Sequence, residues 1–435
     1  MRRWKRSLFL FGTLLGGALL FLLIRLFLPS PFTDPRQPPS GLSSNQDLES
    51  FVKGYWQTPI ALQGPPPPSY SKLEASLSPE ACGSCHAQQH ADWKESLHSR
   101  AMGPGPWGQI IDLTRNSPEE AVQCMTCHAP LSEQIPVVLK TTKSGDPAQE
   151  NNPHFDPKLQ SQGIVCAACH VRNNERFGPP KAESTTGAPY PPGTPNHGGV
   201  QRTSHFERAE FCRDCHQFDP ENSVLVNGKP LQDTYREWQT STWAKDGAAC
   251  QDCHMSNRRH LWKGIRDREW VKGAVRVESQ LKNNAAAGAP GSLDATVDVV
   301  NAAVGHRFPT YITPKVFVRA ALLDDRDQIL PGTQQERIIG WDARFEAGEW
   351  KEYFDTRISP GEKFQAVFKW PPTARARKIR AWVEVHPDHF YHVYFYPAYL
   401  QGENLSPEGR NLIEKALKDS GNSYYVIFNE LIPLN

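Results

Sequence analysis

The apolar and polar positions along the chain divide it into three unequal parts. Leu8 to Ile24 is an unbroken apolar run behind Arg2, Arg3, Lys5 and Arg6; Arg25 interrupts it and it resumes to Leu28. The run spans a bilayer if Arg25 snorkels to the far interface. A cleaved signal has a shorter apolar stretch and a small-x-small site, whereas Pro29, Ser30 and Pro31 follow here. The pattern predicts an uncleaved transmembrane anchor over residues 1–28, basic end cytoplasmic. That makes a single-pass bacterial inner-membrane protein with its bulk in the periplasm. Residues 29–77 carry DPRQPPSG and GPPPPS and are expected to be a proline-rich linker. FVKGYW (51–56), inside it, is assigned no chemistry.

From residue 78 to 290 the pattern predicts short helices in long loops. Ser78-Pro79-Glu80 is a helix start. Trp93, Leu97 and Ala101 recur every fourth residue, predicting a helix from His86 onward with His98 at its end. A second helix is expected over 230–244. Beyond 291 the period changes to two. SLDATVDVV, ITPKVFVRAALL, KFQAVFKW and RKIRAWVEV alternate or run apolar, with turns at DDRDQ (324–328) and SPGEK (359–363). In 378–386, Ile379, Ala381, Val383 and Val385 share one face and His386 lies on the other. The fold expected is a mainly α-helical, loop-rich domain followed by an all-β, immunoglobulin-like sandwich over 291–435. A late helix (407–419) and a last strand, YYVIFNEL, complete it.

Cysteine changes the picture of the middle part. All ten cysteines fall in five Cys-x-x-Cys-His motifs: Cys82, Cys85, His86; Cys124, Cys127, His128; Cys166, Cys169, His170; Cys212, Cys215, His216; and Cys250, Cys253, His254. This is the attachment signal for c-type haem. The thiols form thioethers with the porphyrin and the histidine takes the iron's proximal side. Cysteine zinc knots or a disulfide framework would use the thiols but give no reason for a histidine after every pair. With 15 histidines in 435 residues and no spare cysteine, five covalent haems are expected. The 38 prolines and 31 glycines suit a module whose cofactors fill much of the interior. Net charge is +1 before the haem carboxylates are counted, and nothing in it points to nucleic acid.

The remaining histidines are candidates for the irons' second axial position. His98 ends a predicted helix. His197 precedes Gly198 and Gly199, which permit close backbone approach. His260 lies six residues past His254, too far to return easily to the same iron, so it would serve a neighbour. His306, in Gly-His-Arg-Phe-Pro, would be donated by the sandwich. His90, His154 and His205 have weaker placement. His386, His389 and His392 could instead form a metal site. Trp93-Lys94-Glu95-Ser96-Leu97-His98 recurs as Trp238-Gln239-Thr240-Ser241-Thr242-Trp243, so Tyr235, Trp238 and Trp243 are expected against porphyrin faces. Arg258, Arg259 and Lys263 would neutralise propionates or form a solvated basic turn.

WKESLHSRAM, CMTCHAPL, FCRDCHQF, DTYREW, CQDCHM with RRHLW, and VGHRFPTY together resemble the multihaem c-type cytochromes of the cytochrome c554 and hydroxylamine-oxidoreductase-like group. The resemblance implies distal ligands at His98, His197, His260 and His306. It implies electron transfer through a membrane-anchored pentahaem protein, from a membrane or periplasmic donor to a redox partner. Partners would be other cytochromes or a membrane quinol-oxidising or reductase complex. The group also contains enzymes with an open iron. This chain lacks a Cys-x-x-Cys-Lys site and an extra tyrosine beside a haem motif. A carrier is therefore expected before a catalyst, the alternative being an oxidoreductase acting on a small nitrogen or sulfur compound at one five-coordinate haem.

Overall fold

A computed structural model describes residues 43, 46–141, 147–181, 199–221, 223–283 and 292–434. The first helix, α1 (Leu48–Tyr55), starts where the Asp47 carboxylate accepts from the Ser50 backbone N–H at 3.1 Å, a cap that stabilises a helix by about 1 kcal/mol. Its apolar face buries Phe51, Val52 and Tyr55. These pack with Trp56, Phe177, Phe206 and Phe211 in one core cluster. The stretch treated as linker is thus the centre of the helical part. Alternation over six residues among prolines could not show it.

Four of the five motifs lie on short helices, and the first straddles the end of one. Cys82 and Cys85 straddle the end of α2 (Pro79–Gly83), capped by Ser78, and His86 precedes α3 (Ala87–Glu95). After α4 (Pro104–Asn116), the second motif ends α5 (Pro118–His128). The third is α6 (Cys166–His170), the fourth ends α7 (Glu210–His216). After α8 (Thr234–Gln239), the fifth is α9 (Cys250–His254). On a helix, residues three and four apart share a face, so each of the four helical motifs turns two thiols and an imidazole to one side.

Two predicted helices are shorter than expected. α3 stops at Glu95 because Ser96 turns extended, and His98 opens a separate 3₁₀ turn (His98–Arg100). Trp93 is buried but Leu97 faces solvent, so the four-residue period does not mark one face. The 230–244 helix is broken at Ser241, whose hydroxyl caps a second short helix, Thr242–Lys245.

The second part is a sandwich. One sheet has the order β5-β4-β3-β7-β8, from β3 (Lys315–Leu323), β4 (Gln335–Glu346), β5 (Glu349–Asp355), β7 (Lys378–His386) and β8 (Tyr425–Pro433). The facing sheet is β6-β2-β1, from β1 (Val275–Asn283), β2 (Leu293–Asn301) and β6 (Lys363–Trp370). β1, which follows helix α10 (Arg268–Ala274), pairs along its whole length with β2. The sandwich therefore includes chain ahead of residue 291, where the sequence pattern placed its start. Val297, Val299, Val316, Val318, Ile379 and Val383 are fully buried between the sheets, each worth about 1.5–3 kcal/mol relative to exposure. Helix α11 (Pro407–Gly421) leaves the sandwich and packs on α4, where a Cβ on Gly108 would meet the Gly409 carbonyl at 3.0 Å. Asp112 Oδ1 accepts from the Ser406 backbone N–H at 3.0 Å across the same contact.

The membrane anchor is corrected. No helix among the described residues is long and apolar enough to cross a membrane, and residues 1–28 lie outside the described residues. The single-pass inner-membrane location, the periplasmic placement and membrane attachment as a route to partners fall with it.

Candidate haem centres

Three imidazole pairs face each other, two within the helical part and one between it and the sandwich. The ring centroids of His170 and His260 are 6.2 Å apart, those of His98 and His216 6.3 Å, and those of His254 and His306 6.4 Å. Two imidazole nitrogens bonded to a shared metal at about 2.0–2.1 Å each put their ring centres roughly 6.3 Å apart. Direct packing of aromatic rings needs no such common spacing. Each pair joins one motif histidine to one histidine singled out as an axial candidate.

Hydrogen bonds set the tautomers. Nδ1 of His128 donates to the Ala101 carbonyl at 2.6 Å, of His170 to Phe177 at 2.9 Å and of His254 to Lys263 at 2.7 Å. His260 Nδ1 donates to the Arg258 carbonyl at 3.0 Å and His306 Nδ1 to Arg307 at 2.9 Å. With the proton on Nδ1, the Nε2 lone pair is left for a metal. Burial, helped by neighbouring imidazoles, holds His98 down to about 3, and burial holds His170, His216 and His306 down to about 4. All four are neutral imidazoles at ordinary pH.

None of the ten thiols is in a disulfide. Thiols of different motifs meet in pairs instead: Cys82 with Cys166, Cys127 with Cys215, and Cys212 with Cys250. Cys169 lies within electrostatic reach of Cys212 and Cys215. The motifs are thus contiguous, the first touching the third, the third near the fourth, and the fourth touching the second and the fifth. Free thiols and neutral imidazoles in this arrangement fit c-type haem.

Several side chains position the pairs. Trp262, with a left-handed φ of 41°, sets its ring edge-on to both His98 (4.4 Å) and His260 (5.1 Å). Buried Asp92 accepts from Arg259 Nε and Nη2, both at 2.7 Å, and from the His260 backbone N–H at 3.0 Å, pinning that loop to α3. His306 is carried by the sandwich, joined to the helical part by a buried ion-pair network. Arg357 donates to Glu237 of α8 at 2.8 Å and to Asp355 at 2.8 and 2.9 Å, and Asp355 also pairs with Lys229 at 2.7 Å. Gly305 backs onto Trp238 and Trp243, where a Cβ would meet both side chains at 3.4–3.6 Å.

The other candidates fare differently. His197 lies outside the described residues. His90 packs against Gly83 with its Nε2 buried and unpartnered. The His205 ring lies tilted against Phe51, with centroids 4.5 Å apart. His154 lies within electrostatic reach of Glu133, and its backbone N–H donates to the Asn152 side chain at 3.0 Å. Among the described residues no three His, Cys, Asp or Glu side chains converge to hold a metal ion. His386 stacks on Tyr424, and His392 Nδ1 lies 3.1 Å from the Leu417 carbonyl. Arg258, Arg259 and Lys263 pair with Glu207, Asp92 and Asp267.

Residues 68–269 match the family model Cytochrome c552. The match supports a multihaem c-type cytochrome with an electron-transfer role. The membrane-anchored form of the cytochrome c554 and hydroxylamine-oxidoreductase-like assignment is corrected by the lack, among the described residues, of a helix long and apolar enough to cross a membrane. The chain also resembles the crystal structure of a penta-heme cytochrome c552 from Thermochromatium tepidum, at 14% identity and a TM-score of 0.51, over 84% of this chain and 100% of that one. At that identity the likeness speaks for the fold. No curated protein matches this chain. The family match supports covalently bound c-type haem, and the matched span ends in the first turn of α10, which leads into the sandwich.

Proposed function

We propose that this protein is an electron carrier holding five covalent haems, each anchored by one Cys-x-x-Cys-His motif, and passing electrons between two redox proteins. The supporting observation is the set of three facing imidazole pairs at 6.2–6.4 Å. His170 and His260, His216 and His98, and His254 and His306 would each hold one iron from both sides. Haem c supplies a one-electron ferric/ferrous couple when bound. The protein's part would be to keep each imidazole neutral, fix its tautomer and hold the iron with both members of a pair, which would leave substrate no place at the metal. For the iron at His86 we propose His197 as the second ligand. The contacts between motifs support a path from the first through the third to the fourth, branching there to the second and fifth.

A second reading has its own observation. Among the described residues His128 has no imidazole in ring contact, and the Cys124 thiol beside it lies within electrostatic reach of Tyr391 and Tyr399. An iron held by His128 alone would leave its other side to a small nitrogen or sulfur compound. Low-temperature electron paramagnetic resonance with spin counting, and carbon monoxide binding to the reduced protein, separate the two. Four low-spin centres with at most one accessible high-spin iron support the carrier. Two or more accessible high-spin irons overturn it, and a haem count below five from denatured mass and pyridine haemochrome overturns the stoichiometry.

A further inference from the structure

Arg172 stands out among the buried cations. It follows His170 by two residues and is 2% exposed. Its Nε donates to the Tyr55 carbonyl at 2.9 Å, and Nη1 donates to the carbonyls of Ala168 and Val171 at 3.0 and 2.7 Å. The guanidinium carbon sits 3.8 Å from the centre of the Tyr55 ring and 5.3 Å from that of Trp56. Nη2 is buried without a partner. None of these neighbours is a carboxylate. Buried Arg357 shows the usual alternative, since it faces both Glu237 and Asp355.

An unpaired interior cation is strongly unfavourable. Carbonyls and a ring face soften that cost but leave the net charge in place. A fixed charge in a low-dielectric interior acts at long range, and net charge and burial are two of the means by which a protein sets a haem potential. Tyr55 ties the cation to the centre: its hydroxyl donates to the Cys169 carbonyl at 2.9 Å while its ring covers the guanidinium.

We propose that Arg172 sets the potential of the haem held by Cys166, Cys169 and His170. Its uncompensated charge favours the state with one more electron, making this centre the most oxidising of the three imidazole-paired haems. Electrons entering along the path from the first motif would then collect at the third. The step is the gain of one electron by ferric iron, with no bond broken and Arg172 unchanged. The inference rests on the haem assignment proposed above.

The test is a redox titration of the haem-loaded full chain followed by paramagnetic nuclear magnetic resonance. The centre is recognised by contacts from its haem methyls to Phe206, whose ring stacks on His170 at 5.3 Å. Arg172→Met should lower its midpoint by a tenfold change or more in the one-electron equilibrium, about 59 mV. Arg172→Lys should keep the wild-type value. An unmoved midpoint in Arg172→Met overturns the proposal. So does a wild-type protein in which this centre is not the most oxidising of the three, a result that needs no variant to fold. Failure of the underlying assignment looks different: a missing haem in the pyridine haemochrome count, or a high-spin wild-type iron at His170.

Discussion

Arg357→Met tests whether the ion-pair network between the two parts of the molecule is what holds His306 in place. The Arg357 side chain is 1% exposed and that of Glu237 6%. Removing one partner of a buried pair costs about 3–5 kcal/mol. Asp355 would keep Lys229 at 2.7 Å and Arg307 at 3.2 Å. Glu237 would keep the Thr310 hydroxyl at 3.1 Å and the Arg307 backbone N–H at 3.3 Å. Burial already pushes the Glu237 carboxyl up against the pull of Arg357, so losing the guanidinium leaves an ill-compensated acid. With Asp355 still served, the cost falls at the lower end, about 3 kcal/mol, or roughly a hundredfold in the equilibrium. Urea unfolding of the haem-loaded chain, followed by far-ultraviolet circular dichroism, reads the stability. The low-spin signal of the His254–His306 pair reads the geometry. Adding Glu237→Gln removes the stranded acid, and the double variant should lose about 2 kcal/mol less than the sum of the singles. A change within about 0.5 kcal/mol for Arg357→Met, or strict additivity, would refute the reasoning.

His306→Ala should convert one low-spin iron to high spin in the paramagnetic resonance spectrum while the circular dichroism of the sandwich persists; an unchanged spectrum removes His306 as a ligand. Gly163→Ala should cost about 1–3 kcal/mol and disturb the His98–His216 centre. Gly163 has φ +66° and an added Cβ would lie 2.6 Å from the His98 carbonyl oxygen and 2.9 Å from the Ala101 nitrogen. Normal stability with an unaltered low-spin envelope would contradict that. Asp92→Ala should release the His260 loop and raise the high-spin fraction at the His170–His260 centre alone, and equal disturbance at all three centres would argue for general unfolding.

The motifs were legible because covalent haem attachment demands a fixed local spacing, which a helix turns to one side. His98, His260 and His306 could be singled out because each sits beside a local constraint: a helix end, a six-residue offset, a glycine before a proline turn. Their partners could not be assigned, since His98 faces His216 from 118 positions away in the sequence and nothing local encodes that. β7 was legible from its alternation, with Ile379, Ala381, Val383 and Val385 all fully buried. α1 was missed because its aromatic residues meet Phe177, Phe206 and Phe211 only in three dimensions. Arg172 gave no signal at all. An arginine after a haem motif looks the same in sequence whether it reaches solvent or lies under a tyrosine ring.

The pairing of distant histidines sets an order of completion during synthesis. With the pairs holding iron as proposed, His98 already exists when His216 emerges, so that centre can close from residues behind it. The centre at His170 waits for His260. The centre at His254 waits for His306, and His306 is held by a sheet that needs β8, the last strand of the chain, to fill its edge. Any chain released early would therefore carry an unsaturated iron beside intact neighbours. Closure of that iron would report that the sandwich had folded, making its spin state an internal marker of a closed sheet.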